Sequence, residues 1–160
     1  MNKINKILAC VDLSDYSVMT LEYALELARL SQAKILVLNV INQKDISAVE
    51  TVAKIYPLDQ TVQSYVKDLS SSRFQGLREM IRKHFPEEEP NLELKVDIGI
   101  PYESILKTAD REEVDLIVMA NKGRSNLSRV FFGSAAEKVF RHAKVPVISV
   151  RDRHRFKRGQ

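Results

Sequence analysis

Two apolar runs separated by one amphipathic helix constrain this chain more than any other feature. Lys6-Ile-Leu-Ala-Cys-Val11 ends at Asp12, and a second run, KILVLNVI, covers Lys34 to Ile41. Between them Val18, Leu21, Leu25 and Ala28 recur at helical spacing through Ser31, with Ser14 or Asp15 expected as the N-cap. A run that is apolar at nearly every position suits a strand covered on both faces. Strand, helix and strand in such quick succession make a βαβ unit, which demands a parallel sheet.

The rest of the chain continues the alternation. A short helix over Asp45 to Tyr56 is expected to stop at Pro57. A longer one, from Asp59 to Phe85, places Val62, Val66, Leu69, Leu77, Met80 and Ile81 on one face, with Gly76 and Ser70-Ser71-Ser72 as its weak points. Leu92, Leu94, Val96 and Ile98 alternate with Glu93, Lys95 and Asp97, the period of a strand with one wet face at a sheet edge. Gly99 turns the chain, and Pro101 pre-sets a helix that carries Ile105, Leu106 and Ala109 inward and ends near Glu113. Asp115 leads into a third buried strand, Leu116 to Met119. Ser134-Ala-Ala-Glu137 has the form of a capping box, opening a helix through Val139 and Phe140 that ends near Ala143. Val145 to Val150 is the last strand, with Pro146 at its start.

Five strands alternating with helices predict a three-layer α/β fold with an open, doubly wound parallel sheet. The buried runs at 6–11 and 115–119 belong side by side, strand 92–98 at one edge and strand 145–150 at the other, which gives the order 3-2-1-4-5. Ligands of such sheets bind beyond the carboxyl ends of the strands where the order reverses, here between the strands ending at Asp12 and Met119. The stretch after Met119 suits an anion. Lys122, Arg124 and Arg129 lie in a segment with no acid between Asp115 and Glu137, and two of the five glycines, Gly123 and Gly133, punctuate it. A helix then begins, whose N-terminal N–H groups favour negative charge. The bland alternative is that Gly133 and a Ser134/Glu137 box simply start a helix. Asp12 has the same double reading, as a ligand group or as a local cap.

Composition removes other classes. The net charge of +4 is misleading, because residues 151–160 alone hold five Lys or Arg and one Asp. The body is therefore neutral and offers no specific nucleic-acid face, and the tail 152–160 reads as a solvated end. No run of about 18 apolar residues is present, so no membrane span is expected. The first residues are not expected to form a secretory signal, and the single cysteine, Cys10, fits a reducing cytoplasm and a core role within its apolar run. His84, His142 and His154 have no metal-ligand spacing. Neither Gly-x-Gly-x-x-Gly nor a Walker Gly-Lys-Ser/Thr occurs. A receiver domain would need paired acids after strand 1 and a lysine after strand 5, and neither is there.

The chain resembles the universal stress proteins. The family pattern is Gly, two residues, Gly, nine residues, then Gly-Ser or Gly-Thr. Here it is met by Ala120, Asn121-Lys122, Gly123, the nine residues Arg124 to Phe132, and Gly133-Ser134. Lys6 to Asp12, Gly99-x-Pro101, Asp115 to Met119 and Val145 to Val150 agree as well, so the resemblance spans residues 1–151. It implies a Rossmann-like fold of the adenine nucleotide alpha hydrolase-like type, binding ATP, ADP or AMP, with Mg²⁺ for the triphosphate. It also implies a homodimer that pairs the last strand through Val147, Ile148 and Val150. Carried over by position, Asp12 meets the ribose or a metal-linked phosphate, and the Val40 backbone meets adenine. Met119 lies beside the sugar, and Gly123, Gly133, Ser134 and the N–H of Ala135 hold phosphates. Cys10, Val11, Ala120, Lys122 and Arg124 flank these positions and complete the cofactor-binding set. The departure is Ala120, where the pattern has its first glycine; the methyl matters if that backbone needs positive φ and little if it stays strand-like.

No residue stands out as a base that would position an attacking water, so the expected function is a regulatory nucleotide-binding module of the stress response. Slow hydrolysis or self-phosphorylation, with Ser134 or Ser125 as acceptor, is one alternative. A dimeric interaction protein with an empty pocket is the other.

Overall fold

Lys6 to Cys10 (β1) lies at the centre of a five-stranded parallel sheet, because its middle is dry on both faces: Ile7, Leu8 and Ala9 are fully buried. The computed structural model describes residues 3–56, 61–121 and 133–151. Around β1 stand Lys34–Asn42 (β2), Leu92–Gly99 (β3), Leu116–Ala120 (β4) and Val147–Val150 (β5), in the order β3-β2-β1-β4-β5. The order expected from burial patterning is thus the one observed. Register runs Ile7↔Ile35 and Cys10↔Leu38 on one side of β1, and Ile7↔Leu116 and Cys10↔Met119 on the other.

Alternate side chains feed two cores. Ile7, Ala9, Ile35, Val37 and Val118 face the helices Ser17–Ser31 (α1) and Val62–His84 (α3), which contribute Leu21, Leu25, Leu77 and Ile81. Leu8, Leu36, Leu38, Ile117 and Met119 face Pro101–Arg111 (α4) and Ser134–His142 (α5), which contribute Ile105, Ala109 and Val139. Gln43–Ile55 (α2) buries only Ile46. Among the described residues no helix is long and apolar enough to cross a membrane.

Several boundaries differ from expectation, each for a local reason. The expected capping box at Ser134 is not formed. Gly133, extended at φ −66° and ψ 147°, occupies the N-cap, which makes Ser134 the first helical residue and moves Glu137 out of register for a box. Glu137 instead pairs with Arg141 one turn on, at 2.9 Å. At α1 the N-cap position belongs to Tyr16, not to Ser14 or Asp15. The turn is held from upstream, with the Asp12 carboxylate accepting from the Ser14 amide (3.1 Å) and the Ser17 hydroxyl (3.2 Å). β5 starts at Val147 rather than Val145, since Pro146 has no N–H, yet the Pro146 carbonyl already accepts from Ile117 N. β3 is the sheet edge that its alternation predicted, with Leu92, Leu94 and Val96 turned to the α1/α3 core. α2 begins two residues early, with the Asn42 side chain accepting from Lys44 N, and Thr61 caps α3 by accepting from Ser64 N. Pro57, Asp59, the tail 152–160 and residues 122–132, with Lys122, Gly123, Arg124, Ser125 and Arg129, lie outside the described residues.

Candidate functional site

β1 and β4 diverge at their carboxyl ends, because α1 leaves to one face of the sheet and α5 packs on the other. A cavity of about 440 Å³ opens there. That falls within the range of small-molecule sites, about 300–1,000 Å³. Its floor is β1 and β4: Cys10, Val11 and Asp12 on one side, Met119, Ala120 and Asn121 on the other. Val40 walls the β2 side, and Gly133, Ser134 and Ala135 open α5 onto it. Nine of the residues named from the sequence therefore share one cavity; the other three, Lys122, Gly123 and Arg124, lie outside the described residues.

Local bonds explain why these groups are aimed inward. The Val11 amide donates to the Leu38 carbonyl at 2.9 Å, and the buried Asn39 side chain donates to the Val11 carbonyl at 2.9 Å. Both backbone groups of Val11 are thus pinned to β2, which fixes where Asp12 leaves the strand. The same bonding pattern turns the backbone of Leu38 toward β1, and so that of Val40, two residues later. By then β1 has ended, so the Val40 amide and carbonyl face the cavity rather than a neighbouring strand.

At the opposite wall the Asn121 amide donates to the Val150 carbonyl (3.1 Å) and its carbonyl accepts from Gly133 N (2.8 Å). α5 is thereby sewn to the end of β4. The first N–H with an intrahelical partner is that of Glu137, which donates to Gly133 O. The preceding amides, those of Ser134, Ala135 and Ala136, are the helix's orphan donors, and all three residues line the cavity. Such a terminus is a ready anion site.

Ala120 pairs with Val150 as a regular member of β4 and is not among the residues with positive φ. Its methyl therefore imposes no backbone strain. Cys10 is half-buried, and its thiol is pushed up to about 12 from its ordinary 9.0 by burial. What remains exposed of it looks into the cavity, so it is a neutral floor group, not a thiolate. Among the described residues no group of three His, Cys, Asp or Glu side chains could hold a metal by itself.

The structure also brings in groups that patterning did not assign to the site. Tyr16, Ser17 and Thr20 enter from α1, Asn42 and Asp45 from the start of α2, Pro101 and Ile105 from α4, and Arg73 from α3. Asn39 is the one polar residue between Ile35 and Ile41, a signal in the sequence that it serves a buried partner.

Comparison with known proteins agrees with this architecture. The universal stress protein MJ0577 of Methanocaldococcus jannaschii is 26% identical over 152 residues, covering 91% of this chain and 94% of that protein. YxiE of Bacillus subtilis, also a universal stress protein, is 29% identical over 150 residues, covering 92% and 99%. The solved structure of MJ0577 superposes with a TM-score of 0.75 at 25% identity, over 93% of this chain and 96% of that one. Two further neighbours were solved with nucleotides. A universal stress protein in complex with cAMP has TM-score 0.65 and 21% identity over 94% of this chain and 98% of its own. One from Archaeoglobus fulgidus in complex with dAMP has TM-score 0.51 and 19% identity over 94% and 100%. The family model for universal stress proteins matches residues 3–151, nearly the whole chain, and the chain belongs to the universal stress protein family.

Proposed function

We propose that the cavity binds an adenine nucleotide, ATP or AMP, and that the protein acts as a nucleotide-responsive regulatory module of the stress response. The observation that carries this reading is the pairing of the three orphan amides of α5 with Asp12 across one cavity at the point where the sheet order reverses. The amides of Ser134 and Ala135, with Gly123 and Gly133, take phosphate oxygens. Asp12 takes the ribose hydroxyls or a phosphate-bound cation, the Val40 backbone pairs with the base edge, and Met119 lies along the sugar. The cAMP and dAMP complexes of family neighbours support the same ligand class.

The donor set fits Mg²⁺ only as a companion of phosphates, which is how that ion is usually held: one carboxylate, Asp12, plus ligand oxygens and water. When bound, Mg²⁺ would neutralise phosphate charge; the chain's own residues orient the nucleotide. No described cavity residue stands out as a base for an attacking water, and the reading therefore assigns slow turnover at most. The edge strand β5, with Val147, Ile148 and Val150, pairs with a second copy in a homodimer, which would cover a sheet edge. The single unpaired cysteine supports cytoplasmic residence.

Heat-denaturing the purified protein and chromatographing what it releases tests the reading directly. Stoichiometric ATP or AMP supports it. Release of ADP after loading with ATP would show turnover. No released nucleotide, together with no binding in titration, overturns it.

A further inference from the structure

Arg73 is the one lysine or arginine among the described residues that line the cavity. It does not belong to the strand ends or to α5 but reaches in from α3, a helix on the opposite face of the sheet from α5. Its position results from a close approach three residues further on. A Cβ on Gly76 would lie 3.0 Å from Leu13 Cδ1, so α3 rests on the turn after Asp12 because Gly76 has no side chain. Residues three apart share a helix face, so the face that presents Gly76 to Leu13 carries Arg73 toward the same turn. Leu13, Arg73 and Gly76 also line one shallow groove together outside the cavity, which places them side by side independently. Leu13 itself is held at φ 61°, a left-handed conformation that a leucine adopts only under constraint.

The cavity's described carboxylates are Asp12 and Asp45. Without Arg73, a polyanionic ligand would meet two negative charges, and among the described residues only the α5 amides would oppose them. A guanidinium adds charge-assisted, bidentate hydrogen bonds whose planar geometry matches phosphate.

We propose that Arg73 is a specificity-determining residue that binds a phosphate of the nucleotide and so separates nucleotides from nucleosides. The inference rests on the adenine-nucleotide reading above. Arg73 acts as the second jaw of a clamp whose first jaw is the start of α5. Because it sits on α3, it also ties the bound phosphate to the 42–91 connection, and Gly76 is the positioning residue that lets it reach.

Calorimetric titration of the full chain with ATP, AMP and adenosine tests it, using wild type, Arg73→Gln and Arg73→Lys, each checked by circular dichroism and thermal midpoint. The expected result is that Arg73→Gln weakens ATP about tenfold or more while changing adenosine less than about twofold, with Arg73→Lys in between. Equal losses for ATP and adenosine, or unchanged ATP affinity in Arg73→Gln, overturns the phosphate role and leaves the nucleotide reading intact. Wild type that binds neither ATP nor AMP overturns the nucleotide reading, and the Arg73 inference with it.

Discussion

The Gly133 amide donates to the Asn121 carbonyl at 2.8 Å, so the end of β4 and the start of α5 are joined directly. The flanks of the glycine pattern are therefore fixed to each other by the sheet itself. Asn121 is buried and also bonded to Val150, so the junction connects three elements at the cavity's edge. A ligand that binds the α5 amides meets a preset terminus, which lowers the ordering needed on binding.

Gly133→Val is expected to abolish nucleotide binding while lowering the thermal midpoint by only about 2–4 °C, the cost of a poorer N-cap residue. At φ −66° and ψ 147° any residue is accommodated by the backbone, so a loss reports crowding of the ligand rather than strain. Unchanged affinity in titration would show that phosphates do not approach this position.

Ala120→Gly is expected to change nucleotide affinity less than twofold and to lower stability by about 0.5–1 kcal/mol, the usual cost of glycine within a regular element. Ala120 is a paired strand residue, so the glycine of the family pattern gives no conformational advantage here. A large gain in affinity would mean that the methyl touches the ligand.

How much of the molecule is legible in its sequence divides along physical lines. Central strands announce themselves because both faces are dry, and β3 because only one is, so sheet order could be read from Lys6–Val11, Leu116–Met119 and the alternation at 92–98. The β1 and α5 parts of the site were legible because they lie at a topological reversal. The start of α5 was not, since Ser134 and Gly133 both suit an N-cap and only the strand-like exit from Asn121 decides between them, whereas Pro101 marked the start of α4 correctly. Arg73 was invisible for a different reason. Its place depends on how α3 settles on Leu13, a contact between residues more than 60 positions apart that involves a positive φ and a missing side chain. Gly76 looked like a weak point in a helix; in the fold it is where another segment comes close.

Gly99→Ala is expected to cost about 1–3 kcal/mol in urea unfolding, because the added Cβ would lie 2.5 Å from the Ser104 hydroxyl in a nearly closed site. The next contact of that Cβ, with Ser104 Cβ, is an ordinary 3.9 Å. Gly99→Ala in a Ser104→Ala background should therefore be close to neutral, with a coupling of about 1 kcal/mol or more. Equal costs in both backgrounds would locate the constraint elsewhere in the turn that leads to Pro101.

Cys10 is expected to resist thiol reagents. A thiol pushed up to about 12 from 9.0 holds far less thiolate at neutral pH, and only the thiolate reacts. Labelling by iodoacetamide at pH 8 should be on the order of a hundredfold or more slower in the native protein than in urea. Fast native labelling would show that the cavity floor is wet enough to ionise it.

Glu112 closes the opposite end of the sheet, where its carboxylate receives Lys6 Nζ at 2.9 Å and Lys95 Nζ at 3.3 Å. Hydrogen bonds from Lys6, then from Lys95, hold its pKa below the ordinary 4.5. A carboxyl whose folded pKa is depressed binds fewer protons than in the unfolded chain, so it adds stability that is complete above the unfolded value and fades as pH falls through the folded one. Wild type should therefore exceed Glu112→Gln in thermal midpoint at neutral pH, with the difference shrinking through the acid range and vanishing below the folded pKa. Partial exposure of the cluster and screening by salt keep the difference small, and raising the ionic strength should reduce it further. A gap between the two proteins that stays constant from neutral pH to about pH 2.5 would mean that the packing of Glu112, not its charge, matters to the fold.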